Sequence, residues 1–194
     1  MQIEPDQART GDSQLLRQCF GAFATGVTVV TVGGTHPHGM TANSFTSVSL
    51  DPPLVLVCVG LEAHMHGLLL GNERFGVSVL ASDQEAAARH FASRARQPGA
   101  AQFDAVKWLP GRASGAPLLA GAAAHFECEV WETYDGGDHT IFVSRLLTLA
   151  RRADADVLVF LNGRFGPARP TRSPARPPGH PTMPEKGGRP GAEL

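Results

Sequence analysis

The chain reads as mainly β, an antiparallel set of strands with a few helices at its periphery, and three observations carry that reading. Short runs of β-branched and apolar residues recur between Val27 and Asn162. Glycine and proline punctuate those runs as turn residues do. Helical periodicity is confined to three brief stretches.

After a polar lead, residues 1–12, the residues Leu15, Leu16, Cys19, Phe20 and Phe23 recur at helical spacing. Asp12 or Ser13 can cap the first turn, and Gly26 ends the helix. VTVVTVG at 27–33 is a strand, and GGTHPHG turns the chain back as a hairpin into GMTANSFTSVSLDPP at 39–53. Taken alternately along this extended segment, Thr41, Asn43, Phe45, Ser47 and Ser49 share one face, because side chains alternate along a strand. The face is mostly hydroxyl and amide. It suits hydrogen bonding to a planar polar ligand, with small side chains that let a ring or phosphate approach the backbone. By spacing alone it is first of all the wet face of an edge strand.

Pro52 and Pro53 offer no N–H and interrupt the ladder. LVLVCVG at 54–60 is apolar on both faces, as in a barrel wall. A short helix is expected over 64–70 and a strand around Phe75, Val77 and Val79. Ser82 and Glu85 form a capping-box pattern, opening a helix to about Ala95. The Gly-, Pro- and Ala-rich segment 97–115 reads as a long loop with a short extended piece near 106–109, functional or at an interface. Two long strands, 122–133 and 140–150, flank a turn holding Gly136 and Gly137, and a last strand runs over 157–162.

With 194 residues, 42% of them apolar, the chain can bury one sizeable core, placed at residues 13–166. From Pro167 onward the composition changes: eight of the 15 prolines and five basic residues lie in the final 28 positions. So few apolar groups cannot offset the ordering entropy, and a disordered tail is expected over 167–194. The net charge of −1, with both signs interspersed, makes no electrostatic case for nucleic acid. No apolar run is long enough for a membrane span, and the polar start lacks a signal-peptide core. Cys19, Cys58 and Cys128 have no metal or redox spacing; two of them sit in apolar strand-like runs, so small buried hydrophobes in a reducing cytoplasm are the expectation. His64 and His66 do not face each other on a helix and lack a third ligand, so no metal site is expected. Neither GxGxxG nor GxxxxGK[ST] occurs, so any dinucleotide lies over the sheet rather than on a phosphate loop.

GMTANSF at 39–45, SVSLDPP at 47–53 and GDH at 137–139 resemble, in order and type, the short-chain flavin reductase family, over about residues 15–165. The resemblance implies an FMN-binding split β-barrel in which NADH or NADPH reduces FMN or FAD. The reduced flavin then passes to a separate monooxygenase. It also implies a homodimer in which a neighbour's residues complete the pocket. A flavin carrier or regulatory module without turnover, and a flavoprotein acting directly on a metabolite, are the alternatives.

The resemblance assigns Thr41, Ala42, Asn43 and Ser44 to the isoalloxazine edge, and Ser47, Val48 and Ser49 to ring and ribityl contacts. Val59, Gly60, Ala63 and Met65 belong to the next flavin-binding segment. Relatives carry hydroxyl residues for the flavin phosphate there, whereas this chain has Gly60, Glu62, Ala63, His64, Met65 and His66. Phosphate contacts then fall to backbone N–H groups at the helix start or to the histidines, and Glu62 opposes them. Gly137, Asp138 and His139 lie by the nicotinamide. His139 is the catalytic candidate, orienting that cofactor, with proton donation as a second role. Phe165, in the closing segment from Asn162, lines the nicotinamide cleft or plugs the barrel. Ser144 stands where relatives carry glycine and tightens the space beside the flavin. His90 and His125 read as surface residues of a helix and a strand.

Overall fold

The structure, a computed structural model, describes residues 12–168. The expectations for residues 1–11 and 169–194 lie outside those residues. In chain order the elements are α1 (Ser13–Gly21), β1 (Thr25–Gly26), β2 (Thr28–Val32), β3 (His38–Ala42), β4 (Thr46–Leu50), β5 (Pro53–Gly60), α2 (His64–Gly71) and β6 (Arg74–Val79). Then come α3 (Glu85–Ala92), a 3-10 turn (Gly99–Phe103), β7 (Trp108–Pro110), β8 (Pro117–Leu119), β9 (Ala124–Asp135), β10 (His139–Arg151), β11 (Val157–Leu161) and β12 (Arg164–Ala168).

Seven strands form one antiparallel sheet in the order β3-β2-β6-β9-β10-β5-β4. Its two edges, β3 and β4, are consecutive in the chain and joined only by residues 43–45. Four Cα steps span at most about 14 Å. A flat seven-stranded sheet would hold its edges roughly 29 Å apart at ordinary strand spacing. The sheet must therefore curl until its edges nearly meet, which is a barrel split between β3 and β4.

Inside the curl lies a core built on Val30, Val32, Val55, Val57, Val59, Met65, Leu69, Phe75, Val77, Cys128 and Phe142. A second core, with Val27, Val29, Leu80, Phe91, Phe103, Leu119 and Leu158, packs α3 and the 3-10 turn on the outside of the sheet. β2 is buried along its whole length because it has a core on each face.

Several boundaries differ from the sequence reading. Asp12 caps α1, its carboxylate accepting from the Gln14 and Leu15 N–H groups, but the helix ends at Gly21 and buries nothing. Phe20 and Phe23 remain 71% and 75% exposed. Ser82 does not cap α3. Gln84 occupies that place, and its side chain accepts from Ala81 N–H and donates to the Ala120 carbonyl, so the helix opens at Glu85 and ends at Ala92. The long loop contains the 3-10 turn and the β7–β8 hairpin. β11 turns back through Asn162 (φ 47°) and Gly163 (φ 75°) into β12, which continues through Pro167 and Ala168, past the expected domain end at 166. Positive φ at both central residues marks a type I′ hairpin, for which Asn-Gly is the usual pair. Among the described residues, no helix is long and apolar enough to cross a membrane.

Candidate functional site

The hydroxyl-lined segment does not present one continuous face. Its alternation breaks at residues 43–45, where the chain crosses from one sheet edge to the other. Thr41 and Ser44 use their hydroxyls to fasten backbone. Thr41 Oγ1 donates to the Ala88 carbonyl at 2.7 Å. Ser44 Oγ donates to Cys58 O at 2.9 Å and accepts from Cys58 N at 3.1 Å. Ala42 is buried, its carbonyl accepting from Thr28 Oγ1, and Phe45 stacks on Phe126 with centroids 5.3 Å apart. Asn43 is exposed and its amide has no partner among the described residues. Ser47, Val48 and Ser49 lie on β4, with Val48 at a bulge in the pairing to β5.

Thr41, Ala63 and Met65 do come together, on the wall of a cavity of about 580 Å³ between β3, the start of α2 and the end of α3. Met40 and Phe91 give it apolar surface; His38, Glu62, His64, Arg94 and Arg96 give it charge and hydrogen-bonding capacity. Ala63 sits at the N-cap of α2 and makes no side-chain hydrogen bond to the first turn, so its leading N–H groups lack the usual capping acceptor.

A strap over residues 93–103 closes one side of the cavity. Arg96 Nη2 donates to Gly39 O at 2.6 Å and to His38 Nε2 at 3.0 Å, and its Nη1 donates to Ser93 O. Buried Gln102 accepts from Gly39 N–H at 2.8 Å and donates to the carbonyls of Pro37 and Gly99. Accepting from Arg96 requires His38 Nε2 to be unprotonated. Burial, with Arg96 and His64 nearby, lowers the His38 pKa to about 4. A Cβ at Gly39 would fall 2.7 Å from the Phe91 ring, so the glycine of GMTANSF is a packing requirement. Sequence reasoning missed His38, Arg94, Arg96 and Gln102; the only signal was the length of the loop that carries most of the strap.

A second group forms at the other side of residues 60–63. His139 begins β10 and pairs with Gly60, while Leu61 N–H donates to Asp138 O at 3.0 Å. His139 Nδ1 hydrogen-bonds Asp138 Oδ1 at 2.7 Å, which lowers the Asp138 pKa and leaves Nε2 without a partner among the described residues. Gly137 supplies the turn's positive φ of 79°. His66 Nε2 meets Thr140 Oγ1 at 2.8 Å and ties α2 to this corner. His139 does not itself line the cavity.

Other expected positions lie elsewhere. Val59 is in the core, and Ser47, Val48 and Ser49 flank the opposite end of β5 from Gly60. Phe165, on β12, packs against Phe160 at 5.0 Å under the Arg89 guanidinium, in a separate depression. Ser144 is fully buried in β10, its Oγ without a partner among the described residues, and does not line the cavity. His90 and His125 are half-buried, not surface residues: each ring hydrogen-bonds a loop carbonyl, Gln102 O and Leu119 O respectively. Buried Glu127 gathers Ala113 N, Ser114 N and Ser114 Oγ on one oxygen and Thr148 Oγ1 on the other. Burial pushes its pKa up, yet the four donors outweigh that and hold it below the usual carboxylate value.

The chain is similar to known proteins. A family model described as the flavin reductase like domain matches residues 20–169. An NADH-dependent FAD reductase of Streptomyces globisporus is 58% identical over 154 residues, covering 79% of this chain and 85% of that protein. An NADH-dependent flavin reductase of Rhodococcus is 44% identical over 154 residues, 77% of this chain and 83% of that one. Among solved structures, the Streptomyces globisporus C-1027 NADH:FAD oxidoreductase SgcE6, in complex with NAD and FAD fragments, aligns with a TM-score of 0.79 at 54% identity, covering 84% of this chain and 96% of its own. BorF, the flavin reductase component of a bacterial two-component tryptophan halogenase, aligns with a TM-score of 0.78 at 58% identity over 80% of this chain and 98% of its own. The family model spans nearly all the described residues and these relatives share 44–58% of their sequence with the chain, so the chain belongs to the flavin reductase-like domain family.

Proposed function

We propose that this chain oxidises NADH and reduces FAD or FMN, releasing the reduced flavin to a separate flavin-dependent oxygenase or halogenase. The observation that carries the reading is the 58% identity to an NADH-dependent FAD reductase across nearly the whole fold. The cavity supports it. Its volume lies in the range of small-molecule sites, and it combines apolar surface from Met40, Met65 and Phe91 with guanidinium groups. Flavin, when bound, supplies the ring that accepts the hydride.

The residues of this chain then have distinct tasks. Asn43, whose amide is unspent, donates to the polar edge of the ring, where negative charge grows on reduction. Thr41, Ala63 and Met65 shape the wall. Donors at the start of α2 face the phosphate. His139, held by Asp138 through Nδ1, presents Nε2 to the amide or phosphate of the nicotinamide cofactor and keeps it stacked in range; proximity supplies most of the acceleration.

Residues 47–49 and Phe165 do not line the cavity, and among the described residues β4 leaves an unpaired edge on which Val48 and Leu50 are 48% and 94% exposed. A homodimer that covers this edge would bring a second set of residues to the slit. Three free thiols suit the cytoplasm as its compartment.

The test is NADH oxidation by the purified chain with FAD, FMN or riboflavin under anaerobic conditions. Turnover with free flavin and loss of that flavin on gel filtration are expected. Absence of turnover with any flavin and either nicotinamide would remove the reading. Flavin that co-purifies tightly and never bleaches would favour a carrier, a reading that Ala63 and Met65 in place of hydroxyl residues keep in play.

A further inference from the structure

Among the described residues, the cavity is lined by one arginine with no hydrogen bond or ion pair. Arg96 is committed, with its guanidinium bonded to Gly39 O, His38 Nε2, Ser93 O and, at 3.4 Å, Gln102 Oε1. Arg94, two residues earlier, lines the same cavity, is exposed, and has neither a hydrogen bond nor an ion pair to any described residue. Glu62 is on the cavity wall too, equally unpaired. The segment that leads into α2 offers no hydroxyl: Gly60, Leu61, Glu62, Ala63 and Met65 carry none. A free guanidinium is a planar fork that can grip a phosphate through two charge-assisted bonds, whereas a carboxylate repels the same group.

We propose that Arg94 is the side chain that grips the phosphate of the bound flavin nucleotide, and that Glu62 on the same cavity weakens that grip so that the nucleotide stays exchangeable. The inference rests on the flavin reductase reading. Because the strap is pinned by Arg96 and Gln102 rather than by Arg94, removing Arg94 leaves the fold untouched. The division of labour suits a flavin that must leave: ring contacts and one cation attract it, and one anion prevents tight retention.

The test titrates the intact protein with riboflavin, which has no phosphate, and with FMN and FAD, at low and high salt, for wild type, Arg94→Gln, Arg94→Lys and Glu62→Gln. Loss of one charge-assisted interaction predicts about tenfold weaker FMN and FAD binding in Arg94→Gln. Riboflavin binding and the melting temperature stay at wild-type values. Arg94→Lys retains part of the affinity, Glu62→Gln tightens FMN and FAD but not riboflavin, and the salt dependence of FMN binding shrinks in Arg94→Gln. An unchanged ratio of FMN to riboflavin affinity in Arg94→Gln would overturn the proposal. So would an effect confined to the Michaelis constant for NADH, which would give Arg94 to the nicotinamide dinucleotide. Wild-type protein that binds none of the three flavins would overturn this inference and the reductase reading together; binding with an unaltered ratio sinks only the role of Arg94.

Discussion

Ser44→Ala separates two roles that a serine in this motif can play. β4 stops pairing with β5 at Leu56, and the Ser44 hydroxyl takes over two residues further along, exchanging one bond each way with Cys58 as a strand residue would. It therefore carries the barrel's ladder across the slit. Alanine leaves the Cys58 N–H and C=O without that partner in a half-buried position. Two bonds at about 0.5–1.5 kcal/mol each amount to roughly 1–3 kcal/mol. For a domain of this size that corresponds to a fall in melting temperature of about 3–10 °C. Thermal unfolding of flavin-free protein measures it, and Ser47→Ala, on an exposed position of β4, serves as the control with no change. If Ser44→Ala melts with wild type while its flavin affinity collapses, the hydroxyl is a ligand contact and the ladder argument is wrong.

Ser144→Ala removes a buried hydroxyl that has no partner among the described residues, so stability should rise by about 1 kcal/mol with no change in flavin affinity. Lower stability in urea unfolding would show an unseen partner. Glu127→Gln should cost about 2 kcal/mol at neutral pH, since four donors converge on the carboxylate. Its folded pKa is lowered, so the wild-type advantage is complete above the unfolded value of about 4.3 and fades as pH falls through the folded one. Melting temperatures of the two proteins should converge in acid; a constant gap would contradict the assignment. His139→Ala should raise the Michaelis constant for NADH more than that for flavin, and equal effects in steady-state kinetics would show that its role is misplaced.

Much of the fold was legible because its signals are local. Alternation in 27–33, the double-sided apolar run in 54–60 and the glycine turn at 136–137 each need only a few neighbours, and each became the expected strand or turn. Asn162-Gly163 is an equally local signal, and it sets the β11–β12 hairpin that adds a strand beyond residue 162. The helix start at Ser82 failed for a different reason: Gln84 is bonded to Ala120, 36 residues away, and that tie moves the cap.

Family membership, and with it the reduction of flavin, was written in GMTANSF, SVSLDPP and GDH, since short motifs survive as strings. Which of those side chains stays available to a ligand was not. Thr41 spends its hydroxyl 47 residues away and Ser44 spends its own 14 away, while Asn43 between them keeps its amide. Arg94, a cation in the cavity without a partner among the described residues, sits on a strap held by contacts 57 and 63 residues distant in the chain. Hydrogen-bonding capacity is a finite quantity shared across the folded molecule, so only the assembled barrel decides where any of it is left over.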